Sequence, residues 1–275
     1  MHCSSNAARP VRPRPLLAAL AMVPVLAGLS GPVSAQDADA LAKKLSNPVA
    51  ALISVPFQYN YDDGYANGGY RHTLNIQPVA PFSISPEWNV ISRTILPVAY
   101  QEDVIPGTDQ AGLGDLTQSF FFSPKETGPS GIVWGIGPAL LLPTGTDDLG
   151  ADTWGAGPTF VVLKQDASWT FGALVNHLSD IAGSGSRRRD ISNTFVQPFL
   201  AKAFTGGRTL AVNIESTYDW KASQWTVPLN VQYSKVSKLG NQMISYQGGV
   251  RAYLEGPRGG PDWGVRFSVT LLYPR

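Results

Sequence analysis

The stretch QWTVPLNVQYS, residues 224–234, alternates apolar and polar side chains along most of its length. The large apolar residues from Trp225 to Tyr233 fall on one face of an extended chain, and the residues between them fall on the other. Successive side chains of a β-strand point to opposite faces, so a period of two residues indicates a strand with two unlike faces. This stretch therefore predicts a strand of about ten residues.

The same alternation recurs along the rest of the chain. RTLAVNIESTYDW at 208–220 and PDWGVRFSVTLLYP at 261–274 show it at similar length. Each segment is about as long as a tilted strand must be to cross a bilayer. Counting such segments gives about twelve, which are 51–62, 70–82, 87–100, 112–123, 131–143, 153–165, 168–178, 190–203, 208–220, 224–235, 240–254 and 262–273.

The connections between these segments differ in length. Those after even-numbered segments are mostly short, such as SISPE, DAS and TGGR, whereas EDVIPGTDQA, TGTDDLGAD and SDIAGSGSRRR follow odd-numbered segments. An even strand count with short turns at one rim and long loops at the other is typical of outer-membrane barrels, whose termini lie in the periplasm. We therefore expect the three long loops outside the cell, with tags inserted at Gly107 and Gly185 accessible on intact cells.

A soluble β-sandwich or barrel is the competing interpretation, because its strands alternate too. Such strands are usually shorter, and their apolar face is covered by a partner sheet. Here aromatic residues such as Tyr59, Tyr61, Trp263 and Tyr273 cluster near segment ends, where membrane girdles lie. The sequence therefore predicts an all-β fold, a transmembrane antiparallel β-barrel of about twelve strands with a short N-terminal helical segment.

The start of the chain has the features of an export signal. Three arginines precede an apolar run from Leu16 to Leu29, and the small residues VSA precede Gln36. We therefore expect the protein in the outer membrane of a Gram-negative bacterium after cleavage of this leader. The predicted organisation is a signal peptide over 1–35, a short periplasmic helical segment over 36–50 and an outer-membrane β-barrel over 51–275.

Three Gly-x-Gly elements, which begin at Gly112, Gly135 and Gly155, each lead into an apolar run. A dinucleotide-binding fingerprint requires a third glycine and a following helix, and a phosphate-binding P-loop requires Gly-Lys-Ser/Thr. None of the three elements meets either requirement, and each continues as a predicted strand. We interpret these glycines as positions where a strand bends and leaves space on its lumen face. No cofactor is expected.

Few residues could carry catalysis. The single cysteine, Cys3, lies in the predicted leader. The two histidines outside this leader, His72 and His177, lie on distant segments without metalloprotease spacing. No metal site and no catalytic residue is predicted. His177 and Ser179 do share one face of a strand, as does the His-x-Ser pair of outer-membrane phospholipases, but the Ser-Asn-Gly context is absent. The protein is predicted not to be an enzyme, with a His177/Ser179 lipid hydrolase as the less favoured alternative.

The polar faces of the segments supply candidate binding residues. A charged side chain that faces lipid costs about 2–4 kcal/mol near the bilayer midplane, so these faces should line the lumen. The arginines there either pair with the acidic residues to stiffen a narrow barrel or set a local field that selects a solute. The predicted lumen-facing binding residues are Arg93, Asp115, Glu215, Asp219, Arg251 and Arg266.

Several long motifs also carry a family resemblance. The stretches LAKKLSNPVAALISVPFQYNYD, GLGDLTQSFFFSP, WGIGPALLLPTGTDDLGADTWGAGPTFVVLKQ and WGVRFSVTLLYP resemble bacterial outer-membrane barrels grouped as transporters of the phenol-degradation meta-pathway type. The resemblance extends from about Leu41 to Tyr273. It implies a barrel of about twelve strands through which small solutes of aromatic or otherwise hydrophobic character pass. The last strand also has the alternation of a barrel-assembly signal, although Pro274 and Arg275 follow its final aromatic residue.

Charge limits the range of partners. The formal net charge is +1 and the basic residues are scattered, so no nucleic acid is expected as a partner. The expected partners are outer-membrane lipid, a small-molecule solute and the barrel-assembly machinery during insertion. Passage of small solutes through the lumen is the predicted function. A structural or adhesion barrel that binds partners through its long loops is the alternative.

Overall fold

The computed structural model describes residues 35–66, 68–183 and 188–274. The predicted signal peptide, apart from Ala35, lies outside the described residues, as do Gly185 and Arg187 of one predicted loop. The elements are helix α1 (Ala35–Leu45) and strands β1 (Ile53–Asp63), β2 (Tyr70–Ile76), β3 (Val79–Ser83), β4 (Trp88–Glu102), β5 (Asp109–Leu113), β6 (Leu116–Pro124), β7 (Ile132–Leu142), β8 (Thr153–Asp166), β9 (Trp169–Gly183), β10 (Ser192–Phe204), β11 (Arg208–Ile214), β12 (Ser216–Asp219), β13 (Gln224–Leu239), β14 (Gln242–Glu255) and β15 (Trp263–Tyr273).

The strands form one antiparallel sheet that closes on itself. The closure is made by β1, in which Tyr59 lies opposite Leu74 of β2 on one side and opposite Phe267 of β15 on the other. The pairs β2–β3, β5–β6 and β11–β12 are each a single wall strand interrupted by one or two residues. The wall therefore has twelve strands, which confirms the predicted barrel, and its strands coincide with the predicted segments to within a few residues.

The distribution of polar and apolar side chains is inverted relative to a soluble barrel. In β13, Asn230 and Gln232 are only 0% and 4% exposed. Val231 and Tyr233, which alternate with them, are 39% and 49% exposed. Large apolar residues on the outer face of most other strands are exposed in the same way. An apolar outer surface around a polar interior is the arrangement that a lipid environment requires. The burial of these β13 residues agrees with the sides that the alternation predicts.

The two rims of the barrel differ in their connections. One rim, which we call the turn rim, has mostly short connections and holds the start of β1 and the end of β15. The other, which we call the loop rim, carries most of the longer connections, as predicted. The connections at the turn rim are 84–87, 125–131, 167–168, 205–207 and 240–241, and those at the loop rim are 64–69, 103–108, 143–152, 184–191, 220–223 and 256–262.

Helix α1 lies in the bore at the turn rim. Its Leu41 and Ala42 are buried against lumen-facing Val236 and Leu272, which share their strand faces with polar lumen residues. The backbone N–H of Gly207 donates to Asp39 Oδ1 at 2.6 Å and fixes the helix to one turn. No helix within the described residues is long and apolar enough to cross a membrane.

The segment that joins α1 to β1 also fills part of the bore. Val49 packs into a buried group, here called the apolar lumen cluster, that lines the bore on one side. Burial of these side chains stabilises the segment, since removal of apolar surface from water contributes about 25 cal/mol per Å². The apolar lumen cluster consists of Val49, Ile91, Phe121, Val161, Leu163 and Leu174.

Candidate functional site in the barrel lumen

A buried ion pair lies at the centre of the polar side of the lumen. Arg266 on β15 donates from its two terminal nitrogens to the two carboxylate oxygens of Glu215, both at 2.8 Å, and from Nε to Asn60 at 2.7 Å. Glu215 occupies the interruption between β11 and β12. The Arg266 side chain is 3% exposed and that of Glu215 is 20% exposed, and bidentate pairing of this kind satisfies both charged groups.

A second arginine extends this pair toward the loop rim. Arg251 on β14 lies 3.1 Å from Asp62 and 3.9 Å from Glu215. Tyr253 donates its hydroxyl to Asp62 at 3.0 Å and places its ring 5.4 Å from the Arg251 guanidinium. These contacts make the two carboxylates and two guanidinium groups one network, which we call the lumen ion network.

The third arginine is arranged differently. Arg93 on β4 lies opposite Val79 and Ser119, and it takes part in no ion pair formed by the described residues. Its side chain borders a cavity of about 290 Å³ between α1 and the lumen ion network. Amide and hydroxyl side chains make up much of the remaining wall, among them Gln58, Gln77, Gln197, Asn213, Gln247 and Ser268.

Two of the predicted lumen carboxylates lie elsewhere. Asp115 accepts hydrogen bonds from the backbone N–H groups of Gly145 and Ala151, at 3.0 and 2.7 Å, and so anchors the 143–152 loop. Asp219 accepts from the N–H groups of Lys221 and Ala222 in the turn after β12. The alternative in which all three acids pair with the arginines therefore does not hold for these two. Asp115 lies in the interruption between β5 and β6 and Asp219 at the end of β12, and at both places loop backbone N–H groups bind the carboxylate.

The partner that sequence reasoning missed is Asp62. It follows Gln58 and Asn60 at a spacing of two residues on β1 and therefore shares their lumen face. The alternation of that segment therefore already assigned Asp62 to the lumen face.

Tyr65, in the loop after β1, also lies within the electrostatic reach of Asp62, Arg71 and Arg251. Burial raises the pKa of the Tyr65 phenol above its ordinary value.

His177 and Ser179 are brought together on the outer face of β9. His177 Nε2 and Ser179 Oγ are 2.9 Å apart, and His177 Nδ1 is 2.9 Å from Thr194 Oγ1 on β10. The Thr194 hydroxyl also accepts a hydrogen bond from Trp220 Nε1 at 2.8 Å. The histidine is thus linked to a neutral hydroxyl and not to a carboxylate. Within the described residues, no group of three or more His, Cys, Asp or Glu side chains could hold a metal ion.

No protein-family model matches this sequence, and neither does any curated protein. An outer membrane channel from Pseudomonas putida F1 has a similar structure, with a TM-score of 0.62 and 16% identity over 81% of this chain and 94% of that chain. The outer membrane phospholipase of Salmonella typhi, solved as a dimer with bound calcium, resembles it only distantly, with a TM-score of 0.45 and 11% identity over 86% of this chain and 96% of that chain. The closed wall of twelve antiparallel strands, the apolar exterior and this similarity show that the chain has the fold of a bacterial outer-membrane β-barrel.

Proposed function

We propose that this barrel passes small solutes across the outer membrane through its lumen, and that Arg93 binds the anionic group of those that carry one. The observation that supports this role is the guanidinium of Arg93, which borders a polar cavity in the bore and forms no ion pair with a described carboxylate. Arg251 and Arg266, by contrast, are paired. Glu215 interacts with Arg93 electrostatically but forms no direct ion pair with it, and a desolvated cation without a direct ion pair attracts an anion more strongly than one that is already neutralised.

The two constrictions support selective passage over an open pore. Helix α1 fills the bore on the turn-rim side of the cavity, and the lumen ion network projects from one side of the wall on the loop-rim side of it. A twelve-stranded wall encloses a bore that side chains can largely fill. A solute therefore stops in the cavity between the two constrictions, where Arg93 and the surrounding amides select it.

The role of Arg93 can be tested with a matched pair of solutes, benzoate and uncharged benzyl alcohol, in planar bilayers and proteoliposomes. We expect Arg93→Ala to weaken the apparent affinity for benzoate about ten- to a hundredfold, because a hydrogen bond to a charged group contributes about 1.5–3 kcal/mol. Passage of benzyl alcohol should not change. Gln247→Ala removes an uncharged group from the same cavity and serves as the control.

Two outcomes would contradict this proposal. Equal benzoate affinity in Arg93→Ala and Gln247→Ala would show that the cation does not select the solute. If the wild-type protein passes no solute at all, while deletion of the loop-rim segment 103–108 abolishes a cellular phenotype, the barrel acts through its loops as an adhesion or structural protein.

The hydrogen-bonded His177, Ser179 and Thr194 favour a lipid hydrolase as the second candidate function. The serine and histidine have the separation that nucleophilic catalysis requires, and they lie on the face that contacts lipid. Thr194, however, brings no negative charge to stabilise an imidazolium, which is the role of the acidic member in a catalytic triad.

We therefore expect no phospholipid hydrolysis above background from the purified protein, with or without calcium, and no labelling of Ser179 by a fluorophosphonate. Ser179→Ala should behave as the wild type in both assays. Hydrolysis that requires Ser179 and His177 would instead establish the enzymatic function.

A further inference from the structure

Three basic side chains lie close together on the wall, next to the turn rim. Lys202 is on β10, Arg208 begins β11 and Lys235 is on β13. These strands are neighbours in the sheet, and their register places Arg208 directly opposite Lys235. Lys202 lies opposite Leu210, which follows Arg208 by two residues on the same face. We call the three basic residues the cationic patch.

The cationic patch belongs to the lipid-facing side of the wall. Arg208 and Lys235 are exposed, whereas the next residue on each strand, Thr209 and Val236, is buried and borders the cavity in the bore. Successive side chains of a strand point to opposite faces of the sheet. The register assigns Lys202 to the face of Arg208, so that all three cations point away from the bore.

No acidic side chain of the described residues neutralises the patch. None of its three members takes part in an ion pair formed by these residues. Arg208 donates from Nε to the carbonyl oxygen of Thr205 at 2.9 Å, and its terminal nitrogens donate to no described residue. Like charges at directly opposite positions of an antiparallel pair are destabilising. An anion bound between Arg208 and Lys235 would relieve this repulsion.

Aromatic rings hold the third cation, Lys202, in place. Its Nζ lies 5.0 Å from the ring centre of Trp169 on β9 and 5.5 Å from that of Phe204. A cation over an aromatic face is attracted by the negative charge of that face. Asp166, at the end of β8, lies opposite Trp169 on the side away from Lys202 and forms no ion pair with it. The amine therefore remains available to an anion from the membrane.

The patch lies at the edge of the apolar band of the wall. Lys202 and Thr194 are eight residues apart on β10, and Thr194 accepts a hydrogen bond from Trp220 at the loop rim. At about 3.3 Å per residue and a tilt of about 40°, this stretch spans about 20 Å of membrane thickness, close to the apolar band of about 25 Å in such barrels. The cations are therefore level with lipid headgroups. Leu210 and Tyr233, which lie nearer the midplane, are exposed to the acyl chains.

We propose that the cationic patch binds the phosphate group of an anionic glycerophospholipid in the periplasmic leaflet of the outer membrane. The short turns of outer-membrane barrels face the periplasm, which places the turn rim in that leaflet. Guanidinium and ammonium groups bind phosphate through charge-assisted hydrogen bonds, and the exposed apolar residues beside them contact the acyl chains. The patch lies outside the lumen, so that failure of this proposal leaves the proposed passage of solutes unaffected.

Brominated lipids can test the site, because bromine quenches indole fluorescence at short range and Trp169 lies beside the patch. The protein is reconstituted into phosphatidylcholine vesicles that contain increasing fractions of dibrominated phosphatidylglycerol or dibrominated phosphatidylcholine. The Trp169 signal is the part of the fluorescence that Trp169→Phe removes in each background. The ratio of the two quenching curves gives the preference of the site for the anionic lipid.

The test variant is Arg208→Gln with Lys235→Gln, which leaves the contact between Lys202 and Trp169 in place. The control is Lys125→Gln, which removes a cation from the same rim. The amine of Lys125 already donates to oxygen atoms of the 83–85 segment, and it lies outside the patch. The heat-dependent gel shift verifies that each variant is folded.

We expect the wild type to prefer phosphatidylglycerol, and the double variant to lose about fivefold of this preference for each cation that contacts the phosphate. The preference of the wild type should also fall in about 1 M salt, which screens exposed charges. Lys125→Gln should retain the wild-type preference. Equal quenching by the two lipids in the wild type, or an unchanged preference in the folded double variant, would overturn the site.

A photocrosslinker distinguishes the two leaflets, because lipopolysaccharide in the outer leaflet also carries phosphate groups. The protein with p-benzoylphenylalanine in place of Leu210 is irradiated in intact cells, and the mass of the adduct identifies the lipid. We expect a glycerophospholipid adduct. An adduct with lipopolysaccharide would overturn the assignment of the patch to the periplasmic leaflet.

Discussion

Replacement of Glu215 by alanine is expected to destabilise the barrel by about 3–5 kcal/mol, the usual cost of removing one partner of a buried ion pair. The reason is the position of its partners. Arg266 is almost completely buried, and Arg251 lies beside the same carboxylate. Loss of the carboxylate therefore leaves two guanidinium groups with only Asp62 between them. The same change should increase the preference of the pore for anions.

The free energy of unfolding can be measured by urea titration in detergent, with the heat-dependent gel shift of the folded barrel as the signal. Gln197→Ala is the matched control, because Gln197 contributes only a 3.4 Å hydrogen bond to Glu215 and carries no charge. The double variant Glu215→Ala with Arg266→Ala should recover part of the loss, since it removes the uncompensated cation together with its partner. Stability equal to that of Gln197→Ala would show that the pair does not hold the wall together.

Removal of residues 36–50 is expected to increase single-channel conductance severalfold. These residues include most of α1 and the segment that carries Val49, and they fill the bore at the turn rim. Without them the cavity beside Arg93 opens directly to that rim, and the lumen ion network becomes the remaining constriction.

Planar-bilayer recordings of the shortened and full-length proteins test this expectation. Asp39→Ala, which removes only the contact to the Gly207 N–H, should produce brief openings of the larger size. Asp37→Ala changes an exposed residue of the same helix and should leave the recordings unchanged. Equal conductance in the shortened and full-length proteins would mean that the helix does not limit passage.

The strands of this barrel could be predicted because lipid outside and polar groups inside impose the same alternation on every strand. The lumen face of β13 follows from that rule, and so does the position of Arg266. The interpretation of the glycine motifs as lumen space does not hold at Gly135 and Gly137, because a Cβ atom at Gly135 would contact Phe121 and Val49 and one at Gly137 would collide with the carbonyl oxygen of Phe120. The pairing of two of these motifs across one hairpin depends on the register, which alternation does not specify to the residue.

The partners of the arginines were harder to predict. Alternation assigns a side to a residue but not a height along the wall. Asp115 lies in the interruption between β5 and β6 and Asp219 at the end of β12, where backbone N–H groups bind them. Asp62 meets Arg251 only because β1 closes the barrel near β14 and β15. Helical periodicity likewise indicated α1 but contained no information about whether it lies inside or outside the bore.

The place where the wall closes determines how the helix in the bore can move. The closing seam joins β1 to β15, and residues 46–52 connect α1 directly to β1. The helix is therefore tethered beside its binding site by a short segment that begins at the seam. A short tether keeps the effective concentration in the millimolar range or above, so a displaced helix rebinds in an intramolecular step. Its opening and reclosing should follow first-order kinetics that are independent of protein concentration.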